Sequence, residues 1–254
     1  MSQLHCKSVV VGVDGSKAAI SAAKWAIDEA ISRELPLRLV HVIPRDEARN
    51  TQPSDWEIEC GEMALSQADG AVQGVGKPVE IETALLSGDP EQVLINESQD
   101  AAMVCLGVGK REWGSDELLG PTAAALATQA HCPVAIIRSD SDEPPTVGGV
   151  IGVVLNDEPD NDDVVHHAME EGRLRKATVR QIDRRLDSWV RRYPDVRVEI
   201  VAAGAGARLT EIHGNAIDLA VVGQADADEI TGLGALNCHP IPGYPDCSVL
   251  LVRH

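Results

Sequence analysis

From residue 149 the chain repeats its own opening. GVIGVVL follows the pattern of SVVVGV near residue 8, HHAMEEGRLR that of KWAIDEAISR, and the closing DCSVLLVR that of HCPVAIIR. A duplication on this scale restricts the chain to two copies of one supersecondary plan, and 254 residues hold two domains of ordinary size. The polar stretch SDSDEPPTVG over 139–148 carries paired prolines and a glycine, the composition of a linker. The expected domains are therefore 1–140 and 147–254.

The plan of each copy is legible in the first. SVVVGV over 8–13 is a continuous apolar run closed by Asp14-Gly15-Ser16, the pattern of a buried parallel strand, a tight turn and a helix N-cap. Ile20, Ala23, Ile27 and Ile31 recur at helical spacing and predict a helix over 17–33, with Lys24, Asp28 and Glu29 turned away and Trp25 as a secondary contact. A second strand is expected over 35–42, where Pro36 falls near the start and its missing N–H is tolerated. A helix over 55–73 runs through Trp56, Ile58, Met63, Leu65 and Ala68, and a third strand covers 79–86. Asp89-Pro90 opens another helix. Val104, Cys105 and Leu106 form a fourth strand, 122–130 a further helix and 133–138 a fifth strand.

Alternating strands and helices with helical crossovers predict α/β architecture: two tandem doubly wound parallel sheets, Rossmann-like, with helices on both faces. Phe is absent, so cores must be packed from Val, Ile, Leu and Ala, which suits buried parallel strands. The second copy is degenerate. Its first strand runs into Val154, Leu155 and Asn156 where the first copy has Asp14, and Gly223-Gln224-Ala225-Asp226 replaces the glycine turn. Proline-rich Cys238–Pro245 stands where a last helix is expected. A helix is expected from Ile182 to Tyr193, with Arg184, Arg185, Arg191 and Arg192 as a solvated face.

The formal net charge is −18, shared by both halves without a basic stripe, which argues against nucleic acid and anionic membrane surfaces as partners. Met1 leads through polar residues into a short strand, and no run approaches the length of a membrane span. Six cysteines lack C-x-x-C spacing. A reduced, cytoplasmic protein is expected.

Function is concentrated in VCLGVGKREWGSDELLGPT, over 104–122. A chain that leaves a buried strand through Gly107 and Gly109 and restarts a helix at Gly120 gathers backbone N–H groups at one point, the arrangement that holds phosphate. In a doubly wound sheet ligands sit at the carboxyl ends of strands where the strand order reverses. Gly12-Val13-Asp14 and Gly107-Val108-Gly109 should therefore converge. Asp14 then has two readings: acceptor for a ribose hydroxyl or adenine amino group, or a turn-capping carboxylate. Val42 could wall a base or belong to plain core.

These residues resemble the universal stress protein family, particularly its tandem-domain actinobacterial members, closely in the first half and loosely in the second. The resemblance implies five strands per domain in the order 3-2-1-4-5, with the domains paired through their last strands. It also implies ATP held by an Asp after the first strand and a G-x2-G-x9-G-[ST] loop. Carried over, the Asp is Asp14 and the loop runs from Gly107 through Lys110 to Gly120 and Pro121, with Thr122 one place late. Lys110 and Pro121 depart from the pattern. The candidate site is thus Gly12, Val13, Asp14, Val42, Gly107, Gly109, Lys110, Gly120 and Thr122, the ligand ATP, and the metal no more than nucleotide-associated Mg.

Other chemistry is thin. Cys238, His239, Asp246 and Cys247 do not have a structural zinc spacing, and His166-His167 are adjacent on a helix and point apart. No nucleophile–His–acid set or G-x-S-x-G elbow can be assembled, so no enzyme activity is expected. The expected role is a stress-response regulatory or sensing module with an adenine nucleotide, a protein partner, an intramolecular domain pair and possible homodimerisation. The alternatives are a nucleotide-free interaction scaffold and, third, a slow ATPase.

Overall fold

The structure is a computed structural model that describes residues 7–45, 52–109, 119–138, 148–154, 161–182, 187–201, 217–224 and 247–253. It divides into two compact units, each with five strands.

The first unit runs β1 (Ser8–Gly12), α1 (Lys17–Ser32), β2 (Leu37–Pro44), α2 (Asp55–Gln73), β3 (Ile81–Gly88), α3 (Pro90–Glu97), β4 (Ala101–Val108), α4 (Pro121–Gln129) and β5 (Val134–Arg138). All its strand pairs are parallel, in the order β3-β2-β1-β4-β5. The central strands are almost fully buried: Val9, Val10 and Val11 of β1 and Met103, Val104 and Cys105 of β4 are at most 1% exposed. Burial on both faces is why these strands read as unbroken apolar runs rather than alternating ones.

Helix starts follow the sequence chemistry. The Ser16 hydroxyl caps α1 by accepting from the Ala19 N–H, and the Asp89 carboxylate accepts from the Glu91 N–H with Pro90 in the first turn of α3. Ser54 and Glu57 form a reciprocal capping box at α2. Hydrogen bonds from Ser54 lower the Glu57 carboxyl below its ordinary value.

Several local expectations are corrected. Strands β2 and β3 each lie two residues later than expected, and β4 extends to both sides of its apolar triplet. The α1 stripe is wider and differently phased. Trp25 is 3% exposed and Glu29 only 1%, whereas Ile31 is exposed. The helix packs on β1, β4 and β5 and also beside α2, so a broad arc is covered, and the small residues Ala19, Ala22, Ala23 and Ala26 let it approach closely. Buried Glu29 is matched by Arg33 one turn on, at 3.1 Å, which offsets the cost of desolvating a carboxylate. On α2, Trp56 and Met63 face outward rather than into the core.

The second unit contains β6 (Val150–Val154), α5 (Asn161–Arg175), β7 (Thr178–Ile182), α6 (Asp187–Arg192), β8 (Val198–Val201), β9 (Leu219–Val222) and β10 (Ser248–Leu251). Its order is β8-β7-β6-β9-β10, again parallel throughout. Ile182 closes β7 instead of opening a helix, because the chain there pairs with β6 and β8. Buried Glu171 pairs with Arg175 at 2.8 Å as Glu29 does with Arg33. Arg180 of β7 pairs with Glu199 of β8 at 3.3 Å as Arg38 of β2 does with Glu82 of β3 at 3.5 Å. Glu29, Arg33 and Arg38 precede Glu171, Arg175 and Arg180 by one constant spacing, so charge pairs recur along with the strands.

Candidate functional site

Strands β1 and β4 lie side by side with Gly12 opposite Leu106, and their following connections go to opposite sides of the sheet. Ligand sites in sheets of this kind lie at the carboxyl ends of the strands where such a reversal occurs. A cleft of about 550 Å³ occupies it. Its lining brings together Gly12, Val13, Asp14, Val42, Gly107, Gly109, Gly120 and Thr122, all drawn from the expected set. Lys110 lies outside the described residues.

The glycines divide by role. A Cβ on Gly107 would stand 1.9 Å from the Ala18 carbonyl oxygen and 2.5 Å from the Ala19 nitrogen, so this glycine lets α1 sit against the end of β4. Gly109 and Gly120 have nothing among the described residues within 4 Å of a built Cβ. Both are exposed beside the cleft, so they leave backbone open to a bound group.

Gly120 is the N-cap of α4 and supplies no capping side chain, and Pro121 follows in the first turn. Proline is well suited there, because the N–H it lacks is one that the helix leaves unpaired anyway. The N–H groups of Thr122 and Ala123 have no intrahelical acceptor and border the cleft, with no acidic residue in that turn to offset the helix dipole. This end of the cleft suits an anion.

Asp14 lines the same cleft, exposed, with Oδ1 accepting from the Ser16 N–H at 2.9 Å. Asp14 thus caps its own turn and also borders the cleft. Val40, Val42, Pro44, Pro90, Leu94 and Leu106 give an apolar lining suited to a flat ring. Among the described residues lining the cleft, Asp14 and His41 are the ionisable side chains.

Sequence reasoning missed His41. Its Nδ1 lies 2.7 Å from the Val13 carbonyl and donates to it, which in the neutral ring leaves Nε2 as an acceptor. The available signal was its place at the carboxyl end of the second strand, one residue before Val42. The apolar residues Pro44, Pro90 and Leu94 were missed because they come from neighbouring elements that only the fold brings in.

Elsewhere, Cys247 is buried while Cys238, His239 and Asp246 lie outside the described residues. His166 is engaged with Tyr193 at 2.5 Å and Glu170 at 3.5 Å. Arg191 and Arg192 are exposed, whereas Arg184 and Arg185 lie outside the described residues. In the second unit Gly223 directly follows β9, whereas Gly107 is the penultimate residue of β4, and the Asn156 and Ala225-Asp226 positions lie outside the described residues. No helix among the described residues is long and apolar enough to cross a membrane.

Residues 5–138 match the model of the Universal stress protein family. Universal stress protein Rv2624c of Mycobacterium tuberculosis is 41% identical over 97% of this chain and 96% of its own. A universal stress protein from Archaeoglobus fulgidus DSM 4304 superposes with a TM-score of 0.68 at 14% identity, covering 98% of this chain and 97% of its own. A shorter A. fulgidus universal stress protein solved in complex with dAMP is 25% identical, with a TM-score of 0.42 over 51% of this chain and 96% of its own.

Proposed function

The chain belongs to the universal stress protein family, and from that premise we propose that its first unit holds an adenine nucleotide, ATP with its accompanying Mg, in the cleft between β1 and β4. The observation that carries this reading is that one cavity is lined by apolar residues, by Asp14 and by the first residues of α4. Adenine fits the apolar lining, Asp14 accepts from a ribose hydroxyl or the adenine amino group, and the phosphates lie toward the N–H groups of Thr122 and Ala123 with the Thr122 hydroxyl beside them.

The role is regulatory rather than catalytic. The described lining offers one carboxylate and one imidazole, and the imidazole is tied to a backbone carbonyl. Nucleotide occupancy would instead alter how the protein meets a partner. The second unit is read as a degenerate copy that keeps the sheet and the charge pairs of the first but not its Asp14 or glycine loop.

The test has two parts: analysis of nucleotide released on denaturing purified protein, and calorimetric titration of ATP into wild type and Asp14→Ala. Bound adenine nucleotide, or ATP affinity that falls at least about tenfold in the variant, is expected. A protein that carries none and gives no heat at millimolar ATP overturns the reading in favour of a nucleotide-free scaffold. Phosphate release at a rate that Asp14→Ala abolishes would overturn the non-catalytic assignment.

A further inference from the structure

We propose that the outward face of α2 is a docking surface for a cationic amphipathic helix of a partner protein. Trp56 is 69% and Met63 60% exposed, and half-buried Cys60 lies between them. At about 100° per residue, Trp56, Cys60 and Met63 fall within about 60° of one another, and Gly70 continues the line two turns beyond Met63. Gly70 is exposed with nothing among the described residues within 4 Å of a built Cβ. Packing within this unit therefore does not explain a residue that weakens a helix interior by about 1 kcal/mol relative to alanine. Close approach of another backbone does.

The flank of this stripe decides its occupant. Asp55, Glu59 and Glu62 lie on one side of it, all exposed, and α2 contains no Lys or Arg. A second copy of the chain would set these carboxylates against their own images, and an anionic membrane surface would be repelled by them. A helix with apolar residues at i, i+3, i+4 and i+7 and lysines or arginines beside them matches both the stripe and its charge. Trp56 is then the anchor, since an exposed tryptophan beside a smaller apolar residue is the side chain most often dominant in such contacts. This surface is separate from the cleft lining and its assignment does not depend on nucleotide binding.

The experiment uses the full chain and a fluorescently labelled synthetic peptide of leucine and lysine arranged as an amphipathic helix, followed by anisotropy. Comparison peptides are one of identical composition in scrambled order and one with glutamate in place of lysine. Expected are binding of the ordered cationic peptide and at least about tenfold weaker binding by Trp56→Ala/Met63→Ala and by Glu59→Lys/Glu62→Lys. Val190→Ala, which alters an exposed apolar residue elsewhere, should leave binding unchanged. All the changed side chains are exposed, so circular dichroism should show unaltered folding in each variant. Equal binding by wild type and Trp56→Ala/Met63→Ala, or by ordered and scrambled peptides, overturns the proposal. So does Trp56-dependent self-association in sedimentation without peptide binding.

Discussion

His41 Nδ1 donates to the Val13 carbonyl at 2.7 Å, tying the end of β2 to the residue that precedes Asp14. The same imidazole lies under α2, because a Cβ on Gly61 would stand 2.9 Å from its Cδ2. His41→Leu removes the donor and leaves the Val13 carbonyl without it in a residue that is 4% exposed. The expected loss is about 1–2 kcal/mol, read as a lower denaturant midpoint with unchanged slope.

Two glycines of one loop should separate stability from binding. Gly107→Ala forces a methyl into the Ala18 carbonyl and should destabilise by about 3 kcal/mol or more. Gly109→Ala meets open space and should leave the thermal midpoint nearly unchanged while weakening ATP in calorimetry. Equal thermal losses in the two variants would contradict the division of roles.

Gln181 is fully buried in β7, and neither amide atom of its side chain has a hydrogen-bond partner among the described residues. Opposite Val153 it occupies the position that Leu39 holds opposite Val11 in the first unit. Gln181→Leu should therefore stabilise the chain by about 1–3 kcal/mol, seen as a higher denaturant midpoint.

Arg173 donates through Nε and Nη2 to both Asp195 oxygens and lies 4.9 Å over the Tyr193 ring. Hydrogen bonding from Arg173 holds the Asp195 carboxyl below its usual range, while burial raises the Tyr193 phenol. A carboxyl lowered on folding contributes stability that is present above its unfolded pKa and lost as pH falls through the lower folded value. Arg173→Gln should move the Asp195 NMR titration midpoint upward and reduce the acid dependence of stability in that window.

The succession of strands and helices along the first unit was legible because buried parallel strands write long apolar runs and helix starts write capping residues, whereas the order of the strands in the sheet was implied by the family resemblance. Phase was harder to read. Alanine carries little contrast between faces, so the alanine-rich α1 concealed that Trp25 and Glu29 are buried. Trp56 and Met63 scan as core at helical spacing, and only tertiary packing shows them turned outward. His41 was hidden for a different reason: its partner is a backbone carbonyl, which has no sequence signature.

Pro121 departs from the family pattern, yet it stands where α4 begins. Its ring fixes φ at about −65°, so one of the torsions that place the Thr122 and Ala123 N–H groups is already set in the empty protein. An arriving anion would find those donors aligned and lose less conformational entropy on binding than a flexible loop would impose. The hydroxyl and donor absent at this position are thus exchanged for preorganisation, which should show as a smaller unfavourable entropy of nucleotide binding than in Pro121→Ser.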